Sequence, residues 1–414
     1  MPVSRNNRPR RKKRVVKKQK VSVAKLLSLL PDEVIAELVE QTQADKHVKR
    51  LPALLFVKLL LYGVLKSNKL STHLLEHYYN SEQFALLTGK GKRRTRHSSL
   101  SDRLKAIKPE LFRKLLAYLS EQLQGQLPGT RRGLGYTITS FDSTMVAASA
   151  VLLKEGMQVG QRSKSKAGKK QVKFSVSLHQ GLPCRANTHC EQAYLSEDLA
   201  LGELLLETEK QEGTVLVFDR GVSKRSTFEQ LTEQQHLFVT RLKTSAVYQV
   251  VSEKKPEQQE TDTLRLQADL VVKLKDAKGD LTRHPYRLIK ALSKESGEEL
   301  WFLSNLLDAE AEQITELYRQ RWQIEVFFKF LKQHLGLECL LSYDQQAIEV
   351  LLQVRLIAAM LILLYKQANG LGSYKLAKEK FVAELEMELI KQLIKDCGGN
   401  PALIPKLTDY QKVW

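Results

Sequence analysis

Thr214-Val-Leu-Val-Phe-Asp-Arg-Gly221 is the stretch that decides the fold class of this chain. Its first five residues are apolar or β-branched, and a short run of this type predicts a buried strand. Helical patterns near residues 197–211 and 224–235 flank it, and a second β-rich run follows at Leu237–Leu242. Strands that alternate with helices of this size predict an α/β core. Asp219 would then lie at the carboxyl end of a strand, where α/β sheets collect ligands, although a strand-to-loop cap explains it equally simply.

A second aspartate occupies a comparable position earlier in the chain. Asp142 stands in Phe141-Asp-Ser-Thr144, directly after the β-rich run Tyr136–Ser140. A carboxylate in such an apolar segment is costly to bury unless it has a charged partner or a metal ion. Taken alone, Asp142 is better explained as a turn residue at the end of a strand.

A long helix predicted over residues 310–335 carries the strongest local pattern. With Tyr318 set at zero on a wheel of 100° per residue, Arg321, Glu325 and Lys332 fall at about −60°, −20° and −40°. All four side chains therefore share one narrow stripe at the edge of the apolar face. An exposed ion pair between Arg321 and Glu325, worth about 0.3–0.5 kcal/mol, would explain those two residues but not the rest of the stripe.

Together, two strand-borne aspartates and one helix-borne glutamate supply three hard oxygen donors. Mg²⁺ prefers a few carboxylates together with water and phosphate oxygens. Two such ions can activate a hydroxyl and stabilise the leaving oxygen of an in-line displacement at phosphorus. Neighbouring Lys and Arg side chains would offset the charge that develops on the phosphate.

The same residues resemble a known family. Tyr318-x2-Arg321-x3-Glu325-x6-Lys332, in the string YRQRWQIEVFFKFLK, resembles the Y-R-E-K signature of DDE transposases of the bacterial insertion-sequence (IS-four) group. Phe218-Asp-Arg-Gly221 is similar to the second catalytic block of that family, and Phe141-Asp-Ser-Thr144 to the first. The resemblance covers roughly residues 135–365.

The resemblance implies a ribonuclease H-like catalytic core with a β-strand insertion, preceded by an all-helical N-terminal domain. It implies a DNA transposase that cleaves the ends of an insertion sequence and transfers the strands into target DNA. Mg²⁺ would be the cofactor, with Mn²⁺ as a substitute, and a homodimer would bind paired terminal inverted repeats.

The resemblance also assigns roles to individual residues. Three acids would be catalytic and would hold the metal ions: Asp142, Asp219 and Glu325. Six residues would contact DNA: Tyr318, Arg321, Lys329, Lys332, Arg220 and Arg241. Trp301 resembles an aromatic residue on which an extruded base stacks, although a tryptophan in the core of a strand is an equally good explanation.

Charge and composition divide the chain into segments. The chain has 414 residues and a net charge of +20, and residues 1–25 hold eleven Lys or Arg and no acid. This charge indicates a strongly acidic partner, with nucleic acid favoured over an anionic membrane surface. We expect a disordered basic arm (1–21), a helical DNA-binding domain (22–130), a catalytic core (135–242 and 300–370), a β-rich insertion (243–299) and a C-terminal helical tail (371–414).

Several other classes of protein are disfavoured. The apolar stretches Leu51–Leu65 and Leu356–Tyr365 are shorter than the ~20 residues of a membrane helix. Four cysteines do not form a disulfide scaffold, so we expect a cytoplasmic protein. The spacing in the group His179, Cys184, His189 and Cys190 fits no zinc-finger pattern.

Two alternative functions remain open at this point. One is a catalytically inactive or domesticated DNA-binding protein, and the other is a ribonuclease H-like nuclease that performs no strand transfer. A basic loop at 162–170 and a basic turn at 90–96, which precedes a predicted helix N-terminus at Ser98-Ser99, are candidates for DNA contact or for solvated loops.

Overall fold

Helices occupy the N-terminal part of the chain and a large mixed sheet the middle, so the predicted α/β fold class is confirmed. The computed structural model describes residues 21–89, 91, 93–123, 135–149, 156–158, 169–254, 260–339 and 341–404. The basic arm before residue 21 and nearly all of the basic loop at 162–170 lie outside these ranges.

The N-terminal segment is helical, as predicted. Its helices are α1 (Val23–Leu27), α2 (Asp32–Thr42), α3 (Ala53–Lys66), α4 (Thr72–Tyr79), α5 (Glu82–Thr88), α6 (His97–Ala106) and α7 (Pro109–Leu123). Proline fits the start of a helix because it lacks the N–H group that the first turn leaves unbonded, and Pro31 and Pro52 precede α2 and α3. Ser98 and Ser99 do not cap α6 as predicted, since the helix begins at His97, whose N–H donates to Glu76 Oε2 at 2.8 Å.

The strands form one sheet. They are β1 (Thr137–Ser149), β2 (Met157–Gln158), β3 (Lys169–His179), β4 (Leu182–His189), β5 (Thr214–Phe218), β6 (Leu237–Leu242), β7 (Tyr248–Lys254), β8 (Leu264–Leu274), β9 (Tyr286–Ser293) and β10 (Glu299–Ser304). The strand order is β2-β3-β1-β5-β6-β10-β9-β8-β7, with β4 also paired to β3. Strands β1, β5 and β6 run parallel to one another, while β3 pairs antiparallel with β1 and β4 pairs antiparallel with β3.

The β-rich insertion is continuous with the core. Strand β10 pairs antiparallel with β6, and β9, β8 and β7 extend the same sheet. Apolar side chains of the insertion, such as Val272 and Leu288, belong to the same buried cluster as Phe218 and Phe238 of the core. The insertion therefore joins the core sheet through β10 and shares apolar packing with β6, the strand that follows Asp219.

The C-terminal half returns to helices. The remaining helices are α8 (Glu197–Leu206), α9 (Arg225–Glu233), α10 (Ala311–Arg319), α11 (Trp322–His334), α12 (Gln345–Ala368) and α13 (Tyr374–Asp396), with 3₁₀ turns at Gln192–Leu195 and Pro401–Leu403. The prediction of one long helix over 310–335 is wrong, because the chain turns at Gln320 and Arg321. There the N–H of Arg321 donates to Tyr318 O at 2.9 Å, a three-residue step that tightens the helix and separates α10 from α11.

Helix α12 is the central helix of the larger apolar cluster. Its 24 residues are long and apolar enough to cross a membrane by length and composition, and 94% of its most apolar window is buried inside the protein. A long helix is predicted here from residue 347 to 366, but its uninterrupted apolar stretch, Leu356–Tyr365, is shorter because polar residues precede it. These residues have partners in the fold: Gln353 donates to Ala186 O at 3.1 Å, and Arg355 donates to Cys339 O at 2.7 Å.

Candidate active site

Two neighbouring parallel strands bring Asp142 and Asp219 to the same level of the sheet. The pairing of β1 with β5 sets Ser140 opposite Val217. Two residues further along each strand, the same register sets Asp142 beside Asp219, and the alternation of side chains puts both on one face. Asp142 lies inside β1 and is therefore not the turn residue that its local sequence suggests.

The break between α10 and α11 supplies the other half of the site. Tyr318 Oη, in the last turn of α10, donates a hydrogen bond to Asp219 Oδ1 at 3.1 Å. Arg321 lies in the break, where its Nη1 donates to Asp142 Oδ2 at 3.3 Å and its Nη2 donates to Glu325. The structure thus brings together five of the ten predicted site residues: Asp142, Asp219, Tyr318, Arg321 and Glu325.

Burial controls the electrostatics of this cluster. Burial raises the pKa of Asp142 to about 6; Asp219 and Glu197 add to the rise, while Arg321 and the Ser143 N–H oppose it. Burial also raises the pKa of Tyr318 well above its usual value, so the phenol stays protonated and remains a donor. Arg321 remains charged, because its anionic neighbours raise its pKa more than burial lowers it.

The donor set fits a divalent cation. Asp142 and Glu325 both bond to Arg321, and Asp219 bonds to the neighbouring Tyr318, so all three potential ligands are carboxylates, and oxygen is the donor that Mg²⁺ and Mn²⁺ prefer. The Nε of Arg321 is buried and has no hydrogen-bond partner among the described residues, so the guanidinium is only partly satisfied in this arrangement. The raised pKa of Asp142 means that its ionised form is destabilised by burial. A bound cation would stabilise that ionised form.

Glu197 is a residue of this site that the sequence analysis missed. Both of its carboxylate oxygens lie 2.7 Å from Ser143 Oγ, next to Asp142, and one lies 2.9 Å from the buried ammonium of Lys173. A Cβ at Gly221 would lie 2.8 Å from Glu197 Cγ, so the segment after Asp219 packs directly on this side chain. Glu197 therefore links both aspartate segments. A charged lysine inside the apolar run Val172–Leu178 was the one available signal for it.

Other predicted DNA-contact residues lie around the site. Arg220 is exposed, and Arg241 donates to Glu298 at 2.9 Å. Both line a cleft of ≈ 700 Å³ between the core and the insertion, together with Lys224, Lys243 and Lys275. In this cleft, basic side chains from distant parts of the chain lie close together. Arg220, one of them, directly follows Asp219.

The two lysines that are predicted to contact DNA lie further along α11. Lys329 is exposed, and the Lys332 ammonium is 4.0 Å from Glu338. Both residues lie on the C-terminal side of Glu325, and no contact of either lysine with the three acids is seen among the described residues.

Trp301 lies in β10, between β6 and β9, and no contact of its side chain with the three acids is seen among the described residues. Its side chain is 7% exposed, its indole N–H donates to Glu299 at 2.7 Å, and the Lys290 ammonium lies 4.2 Å from the ring centroid. This geometry is that of a packed tryptophan covered by a lysine. Stacking on a base would require Lys290 to move.

The four candidate zinc ligands of the sequence analysis have separate contacts. His179 Nδ1 lies 2.9 Å from Thr139 Oγ1, Cys184 Sγ lies 3.1 Å from Ser177 Oγ, and His189 stacks on Tyr194. Cys190 is buried in the larger apolar cluster.

Comparison with known proteins identifies the family. A family model described as a transposase DDE domain matches residues 133–361, which include Asp142, Asp219 and Glu325. A probable transposase for an insertion sequence element of Geobacillus stearothermophilus is 28% identical over 295 residues, which cover 70% of this chain and 73% of that protein. A putative insertion-sequence transposase of Synechocystis is 26% identical over 290 residues, 68% of this chain and 75% of that protein.

Among solved structures, a piggyBac transposase synaptic complex with hairpin DNA aligns with 95% of this chain and 84% of its own, at 12% identity and a TM-score of 0.47. The family match covers more than half of the chain. The chain therefore belongs to the transposase DDE domain family, and it is a DNA transposase.

Proposed function

We propose that Asp142, Asp219 and Glu325 hold two divalent metal ions and that this site cuts the ends of an insertion sequence and joins them to target DNA. The observation that carries the proposal is the convergence of three carboxylates from separate segments on Tyr318 and Arg321. Mg²⁺ is the proposed ion, with Mn²⁺ as a substitute, because the donors are all carboxylate oxygens.

We further propose that the core is ribonuclease H-like and that the chain belongs to the IS-four group with the Y-R-E-K signature. The order β4-β3-β1-β5-β6, with three parallel strands beside an antiparallel pair, supports the first point. The spacing of Tyr318, Arg321, Glu325 and Lys332 supports the second.

The chemistry divides between the ions and the protein. Bound at the three acids, divalent ions would activate the attacking hydroxyl and stabilise the leaving oxygen. The hydrogen bond from Tyr318 orients the carboxylate of Asp219. Arg321 pairs with Asp142 and Glu325 in the free protein and offsets part of their charge, and its partly unsatisfied guanidinium is placed to bind a phosphate when DNA enters.

Basic surfaces would hold the DNA. Phosphates would enter the cleft between the core and the insertion, past Arg220 and Arg241. Lys329 and Lys332 would contact the strand beyond Glu325, and the helical N-terminal segment with the basic arm would bind the terminal repeats. Two paired ends require two sites, so we propose a homodimer on DNA in the cytoplasm of a bacterium.

The test is a cleavage assay on linear DNA that carries the flanking ends of the element itself. Products are resolved on a denaturing gel after incubation with Mg²⁺ or with EDTA. We expect cuts at the element boundary and strand transfer with Mg²⁺ only. Glu325→Ala should abolish both and leave DNA binding intact.

The other outcomes have distinct meanings. Full activity of Glu325→Ala would contradict the assignment of the acids. Binding without cleavage by the unaltered chain would favour the inactive DNA-binding protein, and cutting at unrelated sites without strand transfer would favour the nuclease.

A further inference from the structure

A second group of metal-binding side chains lies in the helical N-terminal segment. His73 and Glu76 are one turn apart on α4, and His97 is the first residue of α6. One ligand atom from each of the three side chains lies within 4.8 Å of the other two. The group belongs to two helices that are separate in sequence, and it is distinct from the three acids of the candidate active site.

The backbone around these side chains is held in place without a metal ion, in part by one of the three side chains. The N–H of His97 donates to Glu76 Oε2 at 2.8 Å. Two further bonds of 3.0 Å join the amide of Asn80, at the end of α4, to the backbone N–H and C=O of Thr95. On the sides of α4 and α6 away from these three residues, Leu75 and Leu100 pack in the core and are each 1% exposed. The two helix ends are therefore fixed before any ion binds, which lowers the cost of assembling a site.

The side chains have the spacing of a ligand set. His97 Nδ1 lies 3.0 Å from Glu76 Oε2, and the rings of His73 and His97 are 4.0 Å apart. Two ligands of one tetrahedral zinc ion are separated by about 3.4 Å, as the usual Zn–N and Zn–O bond lengths require.

We propose that His73, Glu76 and His97 form a binding site for Zn²⁺ or a similar transition-metal ion that ties α4 to the start of α6. Two imidazoles and one carboxylate favour Zn²⁺ over Mg²⁺, which prefers oxygen donors. A fourth position would be left to water, because three protein ligands are available. The ion would add positive charge directly after Arg93, Arg94 and Arg96, in the basic turn that precedes α6.

The site is tested by metal binding, which does not depend on the proposed cleavage reaction. Full-length protein is stripped with EDTA, desalted and titrated with Zn²⁺ by calorimetry, with excess Mg²⁺ present to occupy the acids. Co²⁺ absorption reports the coordination independently. We expect one equivalent of Zn²⁺ to bind, and His97→Ala to weaken binding by more than the roughly tenfold that loss of an outer-shell partner costs.

Glu76→Gln controls for misfolding, and His77→Ala controls for an unspecific effect of removing a histidine. Glu76→Gln keeps an acceptor for the His97 N–H but loses the anionic ligand, so it should weaken Zn²⁺ binding with the fold preserved. His77→Ala, an exposed histidine on the same helix, should bind Zn²⁺ like the unaltered protein. Glu325→Ala should also retain the site. Equal binding by His97→Ala and His77→Ala, or loss of the site in Glu325→Ala, would overturn the proposal.

Discussion

Replacing Asp142 with asparagine should stabilise the metal-free protein at neutral pH, although it removes a proposed metal ligand. Burial raises the pKa of this carboxyl from 3.8 to about 6 in the folded chain. Each pKa unit corresponds to about 1.4 kcal/mol, so the ionised carboxylate costs the fold about 3 kcal/mol. Asparagine resembles the protonated form at every pH and carries no such cost.

The dependence on pH follows from proton binding. The unfolded chain releases the proton of Asp142 near pH 3.8 and the folded chain near pH 6. The contribution of Asp142 to stability therefore falls as pH rises through this window, and its cost is complete above it. The advantage of Asp142→Asn should be about 0.5 kcal/mol at about pH 4 and about 3 kcal/mol at about pH 7.5.

Denaturant unfolding in EDTA, followed by tryptophan fluorescence, measures the difference. Asp102→Asn, at an exposed aspartate on α6, is the control and should change stability by less than about 0.5 kcal/mol at either pH. Added Mg²⁺ should stabilise the unaltered protein, by about 2.7 kcal/mol at a hundredfold excess over Kd, and should not stabilise Asp142→Asn. A variant no more stable than the parent at neutral pH, or an advantage equal at both pH values, would refute the reasoning.

Three further measurements test other parts of the structure. Gly336→Ala should cost about 4 kcal/mol or more in denaturant unfolding, because its Cβ would lie 2.0 Å from the backbone oxygen of Asn68 at a φ of +63°; Gly370→Ala, at a similar φ in open space, should cost about 1 kcal/mol, and equal costs would contradict the clash. Lys173→Met and Glu197→Gln should each destabilise the fold, and a double-mutant cycle should give a coupling of about 1–3 kcal/mol, since the ammonium is buried; additive effects would refute the link. Deleting the basic arm should reduce the slope of log affinity for DNA against log salt by about 0.9 for each phosphate that the arm neutralises, and an unchanged slope would show that the arm does not touch DNA.

The local sequence predicted the strand that leads to Asp219 and the spacing of the helical residues at the site. The β-rich run before Asp219 predicted a strand that ends at that residue, and β5 ends at Phe218. The spacing of Tyr318, Arg321 and Glu325 predicted that their side chains act together, and Arg321 and Glu325 do form a pair. These features depend on hydrophobic period and chain spacing, which a sequence shows directly.

Contacts between residues that are far apart in the sequence could not be predicted from hydrophobic period and chain spacing. Glu197 has no local pattern that distinguishes it, and its role follows from Ser143 and Lys173 on neighbouring strands. The group His73, Glu76 and His97 spans two helices, and no local pattern in the sequence predicted it either. The break at Gln320 also escaped prediction, because every residue from 311 to 334 is compatible with a helix and only the contacts of Arg321 distinguish this turn.

By itself, the sequence determined the alternation of strands and helices and the basic character of the chain, because these depend on the type and spacing of neighbouring residues; it proposed the three acids through a family resemblance. Only the tertiary structure decided that Asp142 lies inside a strand beside Asp219, that Arg321 joins two of the acids, and that Trp301 is buried. These facts depend on strand register and on where helices dock against the sheet. Both result from the packing of the whole chain, which no single stretch of sequence encodes.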